Sequence, residues 1–336
     1  MAIRSVDEGA PLLEVENVSH SFTALSGKRG NRKTVRAVSD VSFTIQARGA
    51  VGVVGESGSG KTSLARAIML APRPDTGSIW LHGEDITSLN KGDLRRVRRN
   101  IQMVSQDPYS SLDSRWEVEA IIREPLDIFQ IGTAGERRQR VRELLELVGL
   151  APQVYSKMRP RQLSGGQCQR VAIARAISIS PSLLICDEAV SSLDVSIQAQ
   201  ILNLLADLRH RLGLTVLFIG HDLGVVRYVS ETILVMYFGK IVEMAPSDEV
   251  CLRPFHPYTA ALLSATTELS DRSDLAVAGV EGEPPSPFDP PSGCSFRMRC
   301  PRATTLCSEL TPELIEISPG RRAACHFPLT IEDRPD

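Results

Sequence analysis

The stretch Gly55-Glu56-Ser57-Gly58-Ser59-Gly60-Lys61-Thr62 follows the apolar run Val51-Gly52-Val53-Val54 and precedes Ser63-Leu64-Ala65-Arg66-Ala67-Ile68. It reads as strand, tight loop and helix. The spacing G-x-x-x-x-G-K-[ST] lets glycines bring backbone N–H groups close to phosphate oxygens, while the new helix turns its positive end toward the same anion. Lys61 would reach the β- and γ-phosphates as a mobile point charge, and the Thr62 hydroxyl would take one coordination site on Mg²⁺. An incidental lysine in a Gly-rich turn is the bland alternative. It leaves the agreement of strand, spacing, ammonium and hydroxyl unexplained.

The 336 residues suffice for one large domain with an appendage, or for two domains. Thirty-eight basic and 40 acidic residues leave a formal net charge of −2, which argues against a whole-protein preference for nucleic acid. The start, Met1-Ala2-Ile3-Arg4-Ser5-Val6-Asp7-Glu8, lacks an apolar signal core, and no uninterrupted apolar stretch reaches the ~18 residues of a membrane span. The chain is therefore expected to stay in the cytosol and not to span a bilayer.

Alternation predicts strands at Leu12 to Phe22 and at Val41 to Ile45, with the basic segment Lys28-Arg29-Gly30-Asn31-Arg32-Lys33 in a solvated loop between them. Phe22 reads equally as a core aromatic or as a platform for a stacked base. A further strand is expected at Gly77 to Gly83, then a helix with a wet basic face at Asp93 to Arg99, then a strand at Ile101 to Gln106. The chain breaks at Asp107-Pro108, because a residue before proline is pushed out of the helical region. Gln106 thus sits where strand becomes loop. Val118 to Leu150 reads as helical, with Gly149 as a stop. Ser164 looks like the N-cap of an amphipathic helix whose start is bordered by Gly165 and Gly166, a second anion-seeking helix end.

Ser182-Leu183-Leu184-Ile185-Cys186-Asp187-Glu188 is apolar and then abruptly acidic. A buried parallel strand there presents two carboxylates at its C-terminal edge, where open α/β sheets bind ligands. Asp187 suits Mg²⁺, and Glu188 is placed to polarise an attacking water. A helix from Val195 to about Leu212 and a buried strand at Leu214 to Ile219 follow, ending on His221, which could touch a γ-phosphate. Apolar strands alternating with helices fit a P-loop α/β core.

Residues Glu281 to Pro291 are Pro-rich and read as an extended connector. Beyond them Cys294, Cys300, Cys307 and Cys325 are separated by five, six and seventeen residues. Four thiolates suit tetrahedral zinc or a [4Fe–4S] cluster, and disulfides are disfavoured in a reducing compartment. The gaps are wider than those of usual zinc knuckles. His326, next to Cys325, is a possible substitute ligand.

Five motifs in this order resemble the ATP-binding subunit of an ATP-binding-cassette transporter over about Leu12 to Leu263. By resemblance, Gly55, Ser57, Gly58, Ser59, Gly60, Lys61, Thr62 and Ser63 form the Walker A nucleotide site, and Gln106 is the Q-loop glutamine, catalytic and Mg²⁺-binding. Ser164, Gly165, Gly166 and Gln167 belong to the signature. Leu183 to Asp187 is Walker B, Glu188 the catalytic base, and Ser191 to Asp194 the D-loop. His221 is the switch histidine and Phe22 the adenine-stacking aromatic. The implied fold is a P-loop NTPase cassette, a RecA-like core plus a helical subdomain. Two cassettes would face head to tail, each ATP held between the Walker A loop of one and the signature of the other.

A narrower resemblance, to the oligopeptide/dipeptide and nickel importer subfamily, rests on Gln106 to Asp113, Asp187 to Ser196, His256 to Leu263, and Pro284 to Cys294. Cys168, Ser192 and Asp113 depart from the subfamily's usual residues, and none removes a group the chemistry requires. The resemblance implies a nucleotide-binding domain over 11–264, its helical subdomain at about 107–178, and a C-terminal extension over 265–336 carrying a [4Fe–4S] cluster, with zinc as the alternative. It implies a transport-coupled ATPase at the cytoplasmic face of the plasma (inner) membrane. Its partners would be two transmembrane permease subunits, a sibling ATPase or a second copy, and an extracytoplasmic substrate-binding protein, with no nucleic acid. The cargo would be oligopeptides or dipeptides, with nickel or glutathione as the alternatives inside the family. A soluble ATPase of translation or DNA repair is the competing class, but such proteins usually carry two cassettes or a long coiled coil. A redox-sensing regulator would need an exposed labile cysteine pair, which the sequence does not show.

Overall fold

Alternating apolar residues build a long first strand, β1 (Pro11–Ser26), and a neighbouring second, β2 (Asn31–Gln46). In the computed structural model the described residues are 10–26, 31–265 and 282–330. They divide into two units, one drawn from Met1–Ile45, Ala50–Thr87 and Gly220–Asp336, the other from Gln46–Gly49 and Ser88–Ile219. Arg32 to Ser39 are strand, where the sequence suggested a loop, because Val35, Ala37 and Val38 bury their side chains. Residues 28–30 of the basic segment lie outside the described residues.

In the first unit β3 (Ala50–Val54) is wholly buried and leads through the glycine-rich loop into α1 (Lys61–Ile68). The strands β4 (Thr76–Leu81) and β5 (Glu84–Asp85) complete an antiparallel sheet in the order β2-β1-β4-β5, with Leu13 opposite Leu81 and Val15 opposite Ile79.

The second unit opens with α2 (Lys91–Asn100), capped by Asn90, whose side chain accepts from the Gly92 and Asp93 N–H groups. Arg95, Arg96, Arg98 and Arg99 are exposed around a buried Val97, the wet face expected. Strand β6 (Ile101–Val104) ends before α3 (Pro108–Ser111), whose first residue is the expected breaker Pro108, capped by Asp107. The helical reading of Val118 to Leu150 resolves into α4 (Val118–Ile128) and α5 (Ala134–Leu147). The chain breaks between them at Gln130 and Gly132, both with positive φ, and Thr133 restarts it with a capping box to Glu136. After α6 (Pro152–Tyr155) come α7 (Gly165–Ile177), β7 (Leu183–Asp187), α8 (Val195–Leu212) and β8 (Thr215–Gly220). Strands β6, β7 and β8 run parallel, and β7, flanked on both sides, has no polar residue until Asp187.

The chain then re-enters the first unit through α9 (Leu223–Val229), β9 (Thr232–Tyr237), β10 (Lys240–Pro246), α10 (Ser247–Leu252) and α11 (Pro257–Ser264). After residues 266–281, which are outside the description, α12 (Thr305–Glu309), β11 (Ile315–Ser318) and β12 (Arg321–Ala323) follow. Strand β3 pairs in parallel with β9, and β10, β12 and β11 extend that ladder antiparallel.

A buried acid fastens α11. The Glu243 carboxylate on β10 accepts from the N–H groups of Phe255 (2.7 Å) and His256 (2.8 Å), and the His256 Nδ1 caps the helix by accepting from Tyr258 N–H (3.0 Å). Burial pushes the Glu243 carboxyl from 4.5 up to about 7 and holds the His256 imidazole down at about 3. Native Glu243 therefore keeps a proton that the unfolded chain has lost, and this contribution to stability fades as pH rises from about 4.5 to 7. His256 acts oppositely, costing stability as pH falls below its unfolded value of 6.5. In Glu243→Gln the first slope is removed and the second remains. The stability of the variant relative to the parent, followed by thermal midpoints, is expected to improve from pH 5 to about pH 7 and level off above it, with about 3 kcal/mol as the ceiling. A pH-independent difference between the two proteins would show that Glu243 does not titrate in this way.

Candidate functional site

The first unit holds the glycine-rich loop. Gly60 has φ 105° and an added Cβ would stand 2.1 Å from the Ala37 carbonyl oxygen; at Gly55 it would stand 2.2 Å from that of Met236. Only glycine lets the loop close this tightly. The loop is curled around its own lysine, whose Nζ donates to the carbonyls of Gly55 (2.7 Å) and Glu56 (2.9 Å). The β9–β10 turn supports it from behind, Gly239 N–H donating to the Ser59 carbonyl at 2.8 Å. Helix α1 starts without a side-chain cap and with no acid in its first turn, and the Ser59 hydroxyl is buried with no hydrogen-bond partner among the described residues. Such a donor-rich concavity fits phosphate oxygens. Ser57 and Gly58 are exposed at the loop's crest; Thr62 and Ser63 open the helix. In the same unit Phe22 is 46% exposed on β1, so its ring is not a core residue. His221 is exposed immediately before Asp222, which caps α9.

The second unit brings together the acidic strand end, the Gln106 loop and the glycine-bordered helix start. Asp187 is buried at the last position of β7, and Glu188 follows it with φ 50°, a left-handed conformation unusual for a glutamate. That backbone is held on both sides: Glu188 N–H donates to the Ile219 carbonyl (2.9 Å), and its own carbonyl accepts from Ser191 N–H (3.1 Å) and Ser191 Oγ (3.0 Å). Gln106 is exposed after β6, and its carbonyl accepts from Ser192 Oγ at 3.3 Å. Ser164 caps α7 in a capping box with Gln167, while the Gln167 Nε2 donates to Tyr155 Oη (3.2 Å). Gly166 has a reason the sequence did not show: a Cβ there would lie 2.5 Å from Ile197 Cγ2 on α8. Asp194 caps α8 by accepting from Ile197 N–H (3.0 Å) and Ser196 Oγ (2.8 Å), and these donors hold its carboxyl below the usual carboxylate range.

The four C-terminal cysteines line one small enclosed cavity in the first unit, together with His326. Burial raises the thiols of Cys294, Cys300 and Cys325, the last to about 12. The His326 Nε2 is 2.9 Å from the Leu310 carbonyl. Among the described residues no three His, Cys, Asp or Glu side chains are arranged to hold a metal ion.

Two contacts beside the loop leave no local signal in the sequence. The Glu56 N–H donates to Tyr258 Oη at 2.8 Å, and the Glu56 carboxylate is forked by Arg299, Nη1 to Oε2 and Nη2 to Oε1, each 2.8 Å. The partners are 243 residues apart, so no local pattern could have joined them.

Comparison with known proteins agrees with this architecture. Residues 38–191 match the family described as ABC transporter, and residues 242–307 match the oligopeptide/dipeptide transporter C-terminal region. A probable peptide ABC transporter ATP-binding protein of Sinorhizobium fredii is 46% identical over 316 residues, 94% of this chain and 89% of the relative. The oligopeptide transport ATP-binding protein AppF of Bacillus subtilis is 44% identical over 323 residues, 94% of this chain and 97% of the relative. Among solved structures, the dimeric ATP-binding cassette MJ0796 in a post-hydrolysis state with ADP and Pi aligns with a TM-score of 0.62 and 28% identity, covering 70% of this chain and 98% of that one. No helix among the described residues is long and apolar enough to cross a membrane.

Proposed function

The chain belongs to the ATP-binding subunits of peptide-importing ABC transporters, and on that membership we propose that it binds and hydrolyses ATP to drive peptide uptake through separate membrane permeases. The observation that carries the reading is the uncapped, glycine-built cradle around Lys61, in a chain whose C-terminal part matches the peptide-transporter region. Within this reading the loop N–H groups and Lys61 bind the β- and γ-phosphates, and Phe22 stacks on the adenine. Thr62, Gln106 and Asp187 are the residues that would hold Mg²⁺, which when bound neutralises phosphate charge. Glu188 accepts a proton from the attacking water, and His221 contacts the γ-phosphate. Ser164, Gly165, Gly166 and Gln167, with Asp194, face the ATP of a second cassette, so that binding closes a dimer and hydrolysis releases it. The second cassette is a sibling subunit, and the assembly sits at the cytoplasmic face of the inner membrane with an extracytoplasmic binding protein delivering cargo. Residues 11–264 make the nucleotide-binding domain and 265–336 the extension.

In that extension Cys294, Cys300, Cys307 and Cys325 would hold a [4Fe–4S] cluster. The reading is supported by four thiols gathered around one cavity. What such a group supplies when bound is a cross-link for a small module with little core of its own.

Uptake decides the function. Vesicles containing the chain with its permeases, sibling ATPase and binding protein are expected to accumulate labelled di- and oligopeptides only with ATP on the cassette side. ATP turnover that ignores peptide, with no accumulation, would refute import.

A further inference from the structure

Glu56 occupies one of the variable positions of the phosphate-binding loop and carries a carboxylate into a site that must accept a triphosphate. Like charges there oppose binding. The first unit answers this charge with one residue. Arg299 lies in the turn between Cys294 and Cys300, its side chain only 6% exposed, and it meets the 26%-exposed Glu56 carboxylate through both guanidinium nitrogens. The turn itself is braced, with Arg299 N–H donating to the Phe296 carbonyl at 2.9 Å. The guanidinium also lies near the Tyr237 ring (5.9 Å) and the Phe296 ring (6.0 Å), and Tyr237 packs on Tyr258 at 4.6 Å between ring centroids. Tyr258 in turn accepts the Glu56 N–H. One loop residue is thus gripped at its carboxylate and its amide by the C-terminal part of the chain, while its carbonyl accepts from Lys61.

We propose that Arg299 is a positioning residue for ATP binding: by neutralising and anchoring Glu56 it keeps the loop's N–H groups, rather than a bare carboxylate, presented to the triphosphate. The proposal rests on the nucleotide-binding reading of the loop. A planar fork suits the task because two parallel charge-assisted bonds fix orientation as well as charge. Without it a half-buried acid stays in the loop unpaired.

The test is a double-mutant cycle on the full-length chain, read as the Kd for the fluorescent analogue trinitrophenyl-ATP, with thermal midpoints recorded on the same samples. Arg299→Ala is expected to weaken binding about tenfold in the parent background but by less than about twofold in the Glu56→Gln background, where no carboxylate is left to hold. Arg299→Lys, which keeps the charge and loses the fork, is expected to give an intermediate loss in the parent and none beside Glu56→Gln. Should Arg299→Ala fail to fold, the lysine series alone decides. A merely structural pair would couple in the thermal midpoints and leave the Kd untouched. Equal losses in both backgrounds, or no loss in either, overturn the proposal while the parent still binds nucleotide; a parent that does not bind overturns the nucleotide reading with it.

Discussion

Glu188→Gln is expected to lower ATP turnover by 10²- to 10³-fold, about 3–4 kcal/mol in the barrier, while ATP affinity changes by less than about twofold. The direction of the Glu188 side chain is set by a backbone at φ 50° that is tied to Ile219 and Ser191. Glutamine inherits that direction, being of equal size, and none of those bonds involves the carboxylate. It cannot take a proton from water. ATP should therefore bind, close the cassette dimer and stay, so that size-exclusion chromatography with ATP shows a persistent dimer where the parent returns to its nucleotide-free form. Phosphate release is the decisive measurement. Turnover within a few-fold of the parent would remove Glu188 from the role of base.

Cys300→Ser is expected to abolish metal retention. Anaerobically purified parent protein should carry about four iron and four sulfide per chain, and the variant close to none, with nucleotide binding by the Lys61 loop retained. Cys300 lines the cavity shared by all four cysteines, and a serine hydroxyl in its place is a poor ligand for iron. Loss of the ligand should also loosen residues 294–325 and lower the thermal midpoint, because the module has few fully buried side chains besides Phe296, Cys307, Ala323 and Ala324. Elemental analysis finding zinc in the parent would replace the cluster with a mononuclear site. Neither metal would leave the four thiols as a packed cysteine core.

The elements that were legible in the sequence are those whose signal is local. Leu183 to Asp187 announced a strand buried on both faces because every residue before the acid is apolar, and β7 runs over those residues. Ser164 ahead of an amphipathic run reads as an N-cap, and it caps α7. Val195 to Leu212 began as a helix after Asp194 and ends there because Gly213 takes φ 63°. Gly132 was passed over because periodicity across Val118 to Leu150 is nearly continuous, and only the tertiary path shows that two shorter helices satisfy it. Thr34 to Ser39 were passed over for the opposite reason: polar residues alternate with Val35 and Ala37 on a strand whose partner is needed to see the pattern.

By itself the sequence determined that a glycine-rich loop joins a buried strand to a helix, that two carboxylates end a second buried strand, and that four cysteines gather near the C-terminus. These follow from residue order over a few neighbours, where strand burial, helix capping and glycine conformation are decided. Tertiary structure alone decided that Gly166 makes room for Ile197, that Glu243 fastens α11, and that Arg299 reaches Glu56. Each of those contacts joins segments remote in the chain, and an ion pair or a close packing contact has no periodicity to leave in the sequence that forms it.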